Sequence, residues 1–157
     1  MTPAVDVAKQ NNITYKLHEY FHDTQSKSYG LEASEKLGID KARVFKTIVV
    51  MCNNKSLALG IIPVSSMLNM KLIAKATDFK KCIMANKLDV ERSTGYVLGG
   101  VSPLGQKRPL KTVIDLSAKE FETIYVSAGR RGLEIELNPN DLKMLVNGQF
   151  DNICLYG

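Results

Sequence analysis

The sequence predicts a mixed α/β domain, more antiparallel than parallel, built from about seven short strands joined largely by hairpins. Two observations lead there. Apolar residues recur in short runs or in strict alternation, as at residues 44–51 and 133–137, and Asn, Gly or Pro punctuates most of them. Helical spacing fills only brief intervals between these runs. The chain has 157 residues, 45% hydrophobic and 24% charged, which suits one domain (residues 1–157) with a core of its own.

Taken in order, Thr2 and Pro3 read as an N-cap and first helical residue, opening a short amphipathic helix that stops at Asn11-Asn12. Ile13, Tyr15 and Leu17 alternate with polar residues as in a half-buried strand. Residues 23–30 form a polar loop whose aromatic is Tyr29, and residues 31–37 a helix stopped by Gly38. Residues 44–51 are the strongest strand, placed by their continuous apolar centre in the middle of a sheet. Residues 53–56 form a turn, and residues 57–62 return as the second arm of a hairpin closed by Pro63. A helix over 68–76, a short strand over 82–84 and one or two helical turns over 85–91 follow. Strands are expected at 111–116 and 123–126, with a helical turn at 117–120 between them. Gly129-Arg130-Arg131-Gly132 makes a tight basic turn before the alternating strand 133–137. A last helix spans 138–146, with a further strand at 153–156.

Composition excludes several classes. No apolar run approaches the ~20 residues that span a bilayer, and the N-terminus lacks the basic leader and apolar core of a secretory signal. Cys52, Cys82 and Cys154 are scattered and odd in number, which points to reduced thiols in a cytoplasmic protein, and no CxxC suggests zinc. His18 and His22 stand four apart without a third ligand nearby, so neither metal nor cofactor is expected. The net charge of +5 is modest, but lysines and arginines cluster between residues 71 and 92, after residue 105 and at Arg130-Arg131, which fits either a solvated surface or a polyanion such as RNA.

Two features carry the functional reading. Residues 93–105, STGYVLGGVSPLG, hold Gly95, Gly99, Gly100 and Gly105 among apolar side chains, too apolar for a linker and too rich in glycine for a plain strand or helix. Such a segment is a structured binding loop or a tight structural turn, and its glycines can aim backbone N–H groups at an oxyanion. Lys46 interrupts the most apolar strand, where it either snorkels to solvent or points into a cavity with a task for its ammonium. There is no GxSxG, Walker A or strand-helix GxGxxG. Any catalysis would therefore rest on positioning and backbone dipoles more than on a triad.

With Thr2-Pro3-Ala4, Phe45-Lys46-Thr47, RSTGYVLGGVSPLGQK (92–107) and FETIYVSAGRRGL (121–133), the chain resembles, nearly end to end, the YbaK family of aminoacyl-tRNA deacylases, relatives of the editing domain of bacterial prolyl-tRNA synthetase. The resemblance implies a mixed, mostly antiparallel, curved and barrel-like β-sheet flanked by helices. It implies hydrolytic proofreading of Cys-tRNA(Pro), and of Cys-tRNA(Cys), in the cytoplasm. The cysteinyl thiol would attack its own ester carbonyl, expelling the tRNA 3′-end and leaving a thiolactone that opens in water. The expected partners are aminoacylated tRNA and prolyl-tRNA synthetase.

Carried over residue by residue, Lys46 would hold the ribose or phosphate of the terminal adenosine. Gly99 and Gly100 would offer N–H groups to the carbonyl oxygen. Tyr20, Tyr29, Thr47 and Glu134 would line the pocket, while Ser93, Thr94 and Tyr96 shape the loop. Two positions depart from the family pattern: Tyr29 replaces phenylalanine and Glu134 replaces the shorter aspartate. The alternatives are a deacylase for another amino acid, such as alanine, and a non-catalytic RNA- or synthetase-binding module. The complete 92–105 match favours cysteine, and Lys46 argues against pure binding.

Overall fold

The computed structural model of the chain describes residues 1–26, 28–53 and 55–155. Ten strands are present there, β1 (Tyr15–Glu19), β2 (Phe45–Cys52), β3 (Ser56–Pro63), β4 (Met67–Leu68), β5 (Cys82–Met84), β6 (Lys111–Asp115), β7 (Ile124–Arg130), β8 (Leu133–Leu137), β9 (Gln149–Asp151) and β10 (Cys154–Leu155). Five α-helices join them, α1 (Pro3–Gln10), α2 (Tyr29–Leu37), α3 (Met70–Thr77), α4 (Lys87–Thr94) and α5 (Pro139–Leu145). The two short strands β4 and β9 carry too little periodicity to be read from sequence. Asn54 of the expected turn and Tyr156 of the expected last strand lie outside the described residues.

As expected, the strands are mixed and mostly antiparallel, and the described ones are divided among three sheets. β1, β8 and β7 make an antiparallel sheet in that order, and β10 pairs with β4. The largest sheet runs β5-β2-β3-β6-β9; β2–β3 and β2–β5 are antiparallel, β3–β6 and β6–β9 parallel. A single parallel bridge, Val44 to Tyr125, joins the two larger sheets. The centre of the five-stranded sheet is therefore β3, with β2 beside it.

Alternation along the β2–β3 hairpin explains the layering. Phe45, Val49, Leu59 and Ile61 face the three-stranded sheet, packing with Leu133, Ile135 and the apolar side of α1. Val50, Ala58 and Ile62 face the other way, against Ile73 of α3 and Ile153. α1 is held by its cap, since Thr2 Oγ1 accepts from Val5 N at 3.3 Å and donates to the Ala128 carbonyl at 2.5 Å.

Register also overturns one expectation. Cys52 and Cys82 are directly opposed across β2–β5, with Cα atoms 4.1 Å apart, and form a disulfide. Their separation of 30 residues hides a pairing that only the strand register creates. Cys154 is buried and is not part of this bridge. Tyr29, expected in the loop, instead begins α2.

Candidate functional site

β5 pairs only with Val50–Cys52, and the Ala85 N–H reaches the Val49 carbonyl at 3.1 Å. Nearer its start, β2 has β3 on one side and, among the described residues, no paired strand on the other. A cavity of about 340 Å³ lies along this stretch, lined by Lys46 and Thr47 of β2, Ser127 of β7, Glu134 of β8, Tyr20, and Tyr29 of α2, with Gly99, Arg130 and Arg131 at further points.

Lys46 is half-buried, and burial holds its ammonium below the ordinary lysine range, partly offset by the nearby Cys154. No carboxylate forms an ion pair with it among the described residues. A partly desolvated cation without a counter-ion is costly unless an anion arrives. Beside it, Thr47 Oγ1 is buried with no hydrogen-bond partner. Buried hydroxyls are rarely left unpaired outside functional sites.

The alternating pattern of β8 would send Glu134 to a polar outer face. It is instead 6% exposed, because its face of the sheet closes the cavity. Burial alone pushes its carboxyl up to about 8, so at neutral pH the group is largely the neutral acid. Tyr20 is pushed up to about 12, first by burial and then by the Glu134 charge. Its main-chain N–H donates to the Gly132 carbonyl at 3.0 Å, tying the residue after β1 to the β7–β8 turn.

The glycine segment divides in two. Gly99, at φ +94, lines the cavity, and a Cβ there would lie 2.6 Å from Tyr29 Cε2 and 2.8 Å from Arg131 Nε. Gly100 does not line it, and its N–H is already donated to the Val97 carbonyl at 2.9 Å. Ser93 and Thr94 close the end of α4, both donating to the Val90 carbonyl, at 3.3 and 2.7 Å. Tyr96 is buried in the main core and donates to the Leu104 carbonyl at 2.6 Å. These four residues stand behind the cavity and hold the loop's shape.

Sequence reasoning gave no role to Ser127 and read Arg130-Arg131 only as a basic cluster fitting a solvated surface or a polyanion; all three also line the cavity. The basic turn between two glycines was visible as a motif, but its position at the cavity depends on sheet register. The two histidines are structural ties: His18 Nε2 is 2.8 Å from Glu136 Oε1, and His22 Nδ1 is 2.7 Å from Glu32 Oε1. Among the described residues no group of three or more His, Cys, Asp or Glu could hold a metal ion, and no helix is long and apolar enough to cross a membrane.

Three comparisons bear on this geometry. The profile of the aminoacyl-tRNA editing domain matches residues 25–145, which include every cavity residue named above except Tyr20. EbsC of Enterococcus faecalis (strain ATCC 700802 / V583), provisionally described as a Cys-tRNA(Pro)/Cys-tRNA(Cys) deacylase, is 38% identical over 152 residues, covering 97% of this chain and 92% of that protein. Among solved structures, the hypothetical protein APE2540 superposes with a TM-score of 0.86 at 22% identity, covering 98% of this chain and 99% of the other. A protein provisionally described as a trans-editing enzyme for prolyl-tRNA synthetase gives 0.82 at 18% identity, covering 98% and 93%. At these identities the structural likeness is one of fold.

Proposed function

The chain belongs to the aminoacyl-tRNA editing domain family, and from that premise we propose that it is a trans-editing deacylase acting on mischarged cysteinyl-tRNA(Pro), with cysteinyl-tRNA(Cys) as a second substrate. The description of EbsC supports the choice of cysteine. The observation that carries the reading is Lys46, half-buried and without an ion-pair partner among the described residues, lining a cavity to which no described cysteine or histidine contributes. A site so equipped can bind an anion and stabilise a leaving oxygen, but among the described residues no histidine lines it to activate the Thr47 or Ser127 hydroxyl as a nucleophile.

In this reading the substrate supplies the nucleophile. The cysteinyl sulfur forms a bond to its own ester carbonyl carbon, the bond from that carbon to the 3′-oxygen breaks, and the thiol proton ends on the 3′-hydroxyl. The cyclic thiolactone then takes up water and opens to free cysteine. The first step uses no water, being an intramolecular acyl transfer from oxygen to sulfur that releases the tRNA end, and the hydrolysis follows. Lys46 balances charge at the terminal nucleotide and the departing oxygen. The Gly99 backbone faces the carbonyl, while Thr47, Tyr20, Tyr29 and the neutral Glu134 orient the cysteinyl group. With its N–H committed to Val97, Gly100 supports the loop, as do Ser93, Thr94 and Tyr96.

Alanyl and seryl esters lack the sulfur, so the chemistry itself gives the selectivity for cysteine. Discrimination among tRNAs would come from a complex with prolyl-tRNA synthetase in the cytoplasm. The test is to incubate the protein with cysteinyl-, alanyl- and seryl-tRNA(Pro) and to repeat with Lys46→Ala. Loss of the cysteinyl ester alone, suppressed by the substitution, is expected. Removal of the alanyl ester instead would favour the alternative amino acid, and no removal of any ester would leave a binding module.

A further inference from the structure

The β7–β8 turn places two consecutive arginines, Arg130 and Arg131, at the cavity. Its main chain is fixed: Gly129 (φ +108) and Gly132 (φ +86) adopt torsions that favour glycine, and the β7–β8 register shifts between Ser127 and Arg130. The Ser127 hydroxyl accepts from Gly129 N at 3.1 Å, and Tyr20 holds the Gly132 carbonyl. A turn pinned at both ends aims its side chains.

Among the described residues, Arg131 has no carboxylate partner and Arg130 only a solvent-exposed one. The Arg131 guanidinium carbon lies 4.0 Å from the centroid of the Tyr29 ring, and Nη2 donates to the Leu98 carbonyl at 3.2 Å. No carboxylate pairs with it among the described residues. Arg130 Nη2 is 3.8 Å from Glu19 Oε2, but the two side chains are 54% and 74% exposed, so the pair is loose and screened. Glu134, the carboxyl that lines the same cavity, is mostly uncharged at neutral pH. A guanidinium with no carboxylate partner beside one whose pair is screened favours an incoming anion, and a planar guanidinium held on an aromatic ring matches the geometry of a phosphate.

We infer that Arg130 and Arg131 form a rim that binds the backbone phosphates of an RNA 3′-strand as it leaves the cavity. The site rests on the proposed function, which puts the terminal nucleotide at Lys46 and so carries the preceding phosphates outward past these two side chains. Tyr29 acts as the seat for Arg131, and Gly99 leaves room for that stack.

Two readouts separate the rim from the chemistry. Binding of an uncharged acceptor-stem RNA ending in CCA, followed by fluorescence anisotropy across a salt series, reports the rim whether or not an ester is cleaved. Arg130→Ala and Arg131→Ala should each weaken binding, roughly tenfold at low salt, and lower the slope of log K against log salt by roughly 0.7, the value for one single-strand phosphate contact. Arg131→Lys should keep more of the affinity than Arg131→Ala. Deacylation is then compared on cysteinyl-tRNA(Pro) and on the phosphate-free 3′-cysteinyl adenosine. The loss for each alanine variant should be several-fold larger on the tRNA. Equal losses on both substrates, or an unchanged salt slope, would overturn the rim and leave these arginines as supports of the Gly99 loop. If the wild-type protein cleaves neither ester while the RNA binding still depends on both arginines, the proposed function fails and the rim stands.

Discussion

Gly99 and Tyr29 pack so tightly that a Cβ on residue 99 would lie 2.6 Å from Tyr29 Cε2. The loop and the first turn of α2 therefore meet at the cavity only because residue 99 is glycine. Its φ of +94 adds a second reason, since L side chains rarely adopt it. Gly99→Ala should push the aromatic ring and Arg131 away, lowering kcat/KM on cysteinyl-tRNA(Pro) by about 10². The measurement is steady-state deacylation beside a thermal melt. A wild-type rate in the variant would show that the loop does not need this contact.

Lys46→Met keeps the apolar stem and removes a desolvated charge. The expected result is a fall in kcat of about 10²–10³ with a Tm equal to or above wild type, because Lys46 is partly desolvated and makes no ion pair among the described residues. A variant that loses stability and activity together would make Lys46 a structural residue.

Glu134 predicts a pH dependence of stability with a definite sign. The unfolded chain releases this proton near the ordinary 4.5 and the folded chain near 8, so between these values the folded state holds the extra proton. Stability should fall as pH rises across that window and level off above it. Glu134→Gln, neutral throughout, should flatten this part of the profile in urea midpoints taken at pH 5 and pH 8. An unchanged slope would show that another group is responsible.

Local signals made much of the fold legible. Thr2-Pro3 opened α1, Gly38 closed α2 in a left-handed conformation, and the apolar runs of β2 and β3 announced their hairpin. What depended on register was hidden. The alternation of β8 marked Glu134 as polar surface, yet pairing with β1 and β7 turns that face into a cavity wall. Lys46 stood out because a charge in an apolar strand is a local anomaly. Arg131 stood out only as half of a basic pair, since an arginine in a turn is ordinary until Tyr29 is brought beneath it from 102 positions earlier in the chain.

The Cys52–Cys82 bridge is a second case of register deciding chemistry. It spans a sequence separation of 30 residues, closing a loop that includes β3, β4 and α3. Reduction should lower unfolding stability by about 2–4 kcal/mol, seen as a lower urea midpoint in dithiothreitol. Identical midpoints, together with three titratable thiols in the untreated unfolded protein, would show that the bridge does not form.

The central claim is that the substrate's own sulfur cleaves the ester at a site organised by Lys46. The most direct measurement is the single-turnover rate of ester loss from cysteinyl-tRNA(Pro) before and after methylation of the cysteinyl sulfur. Rapid loss with the free thiol and only the uncatalysed rate with the methylated one is the predicted result. Equal enzymatic rates on both would contradict it.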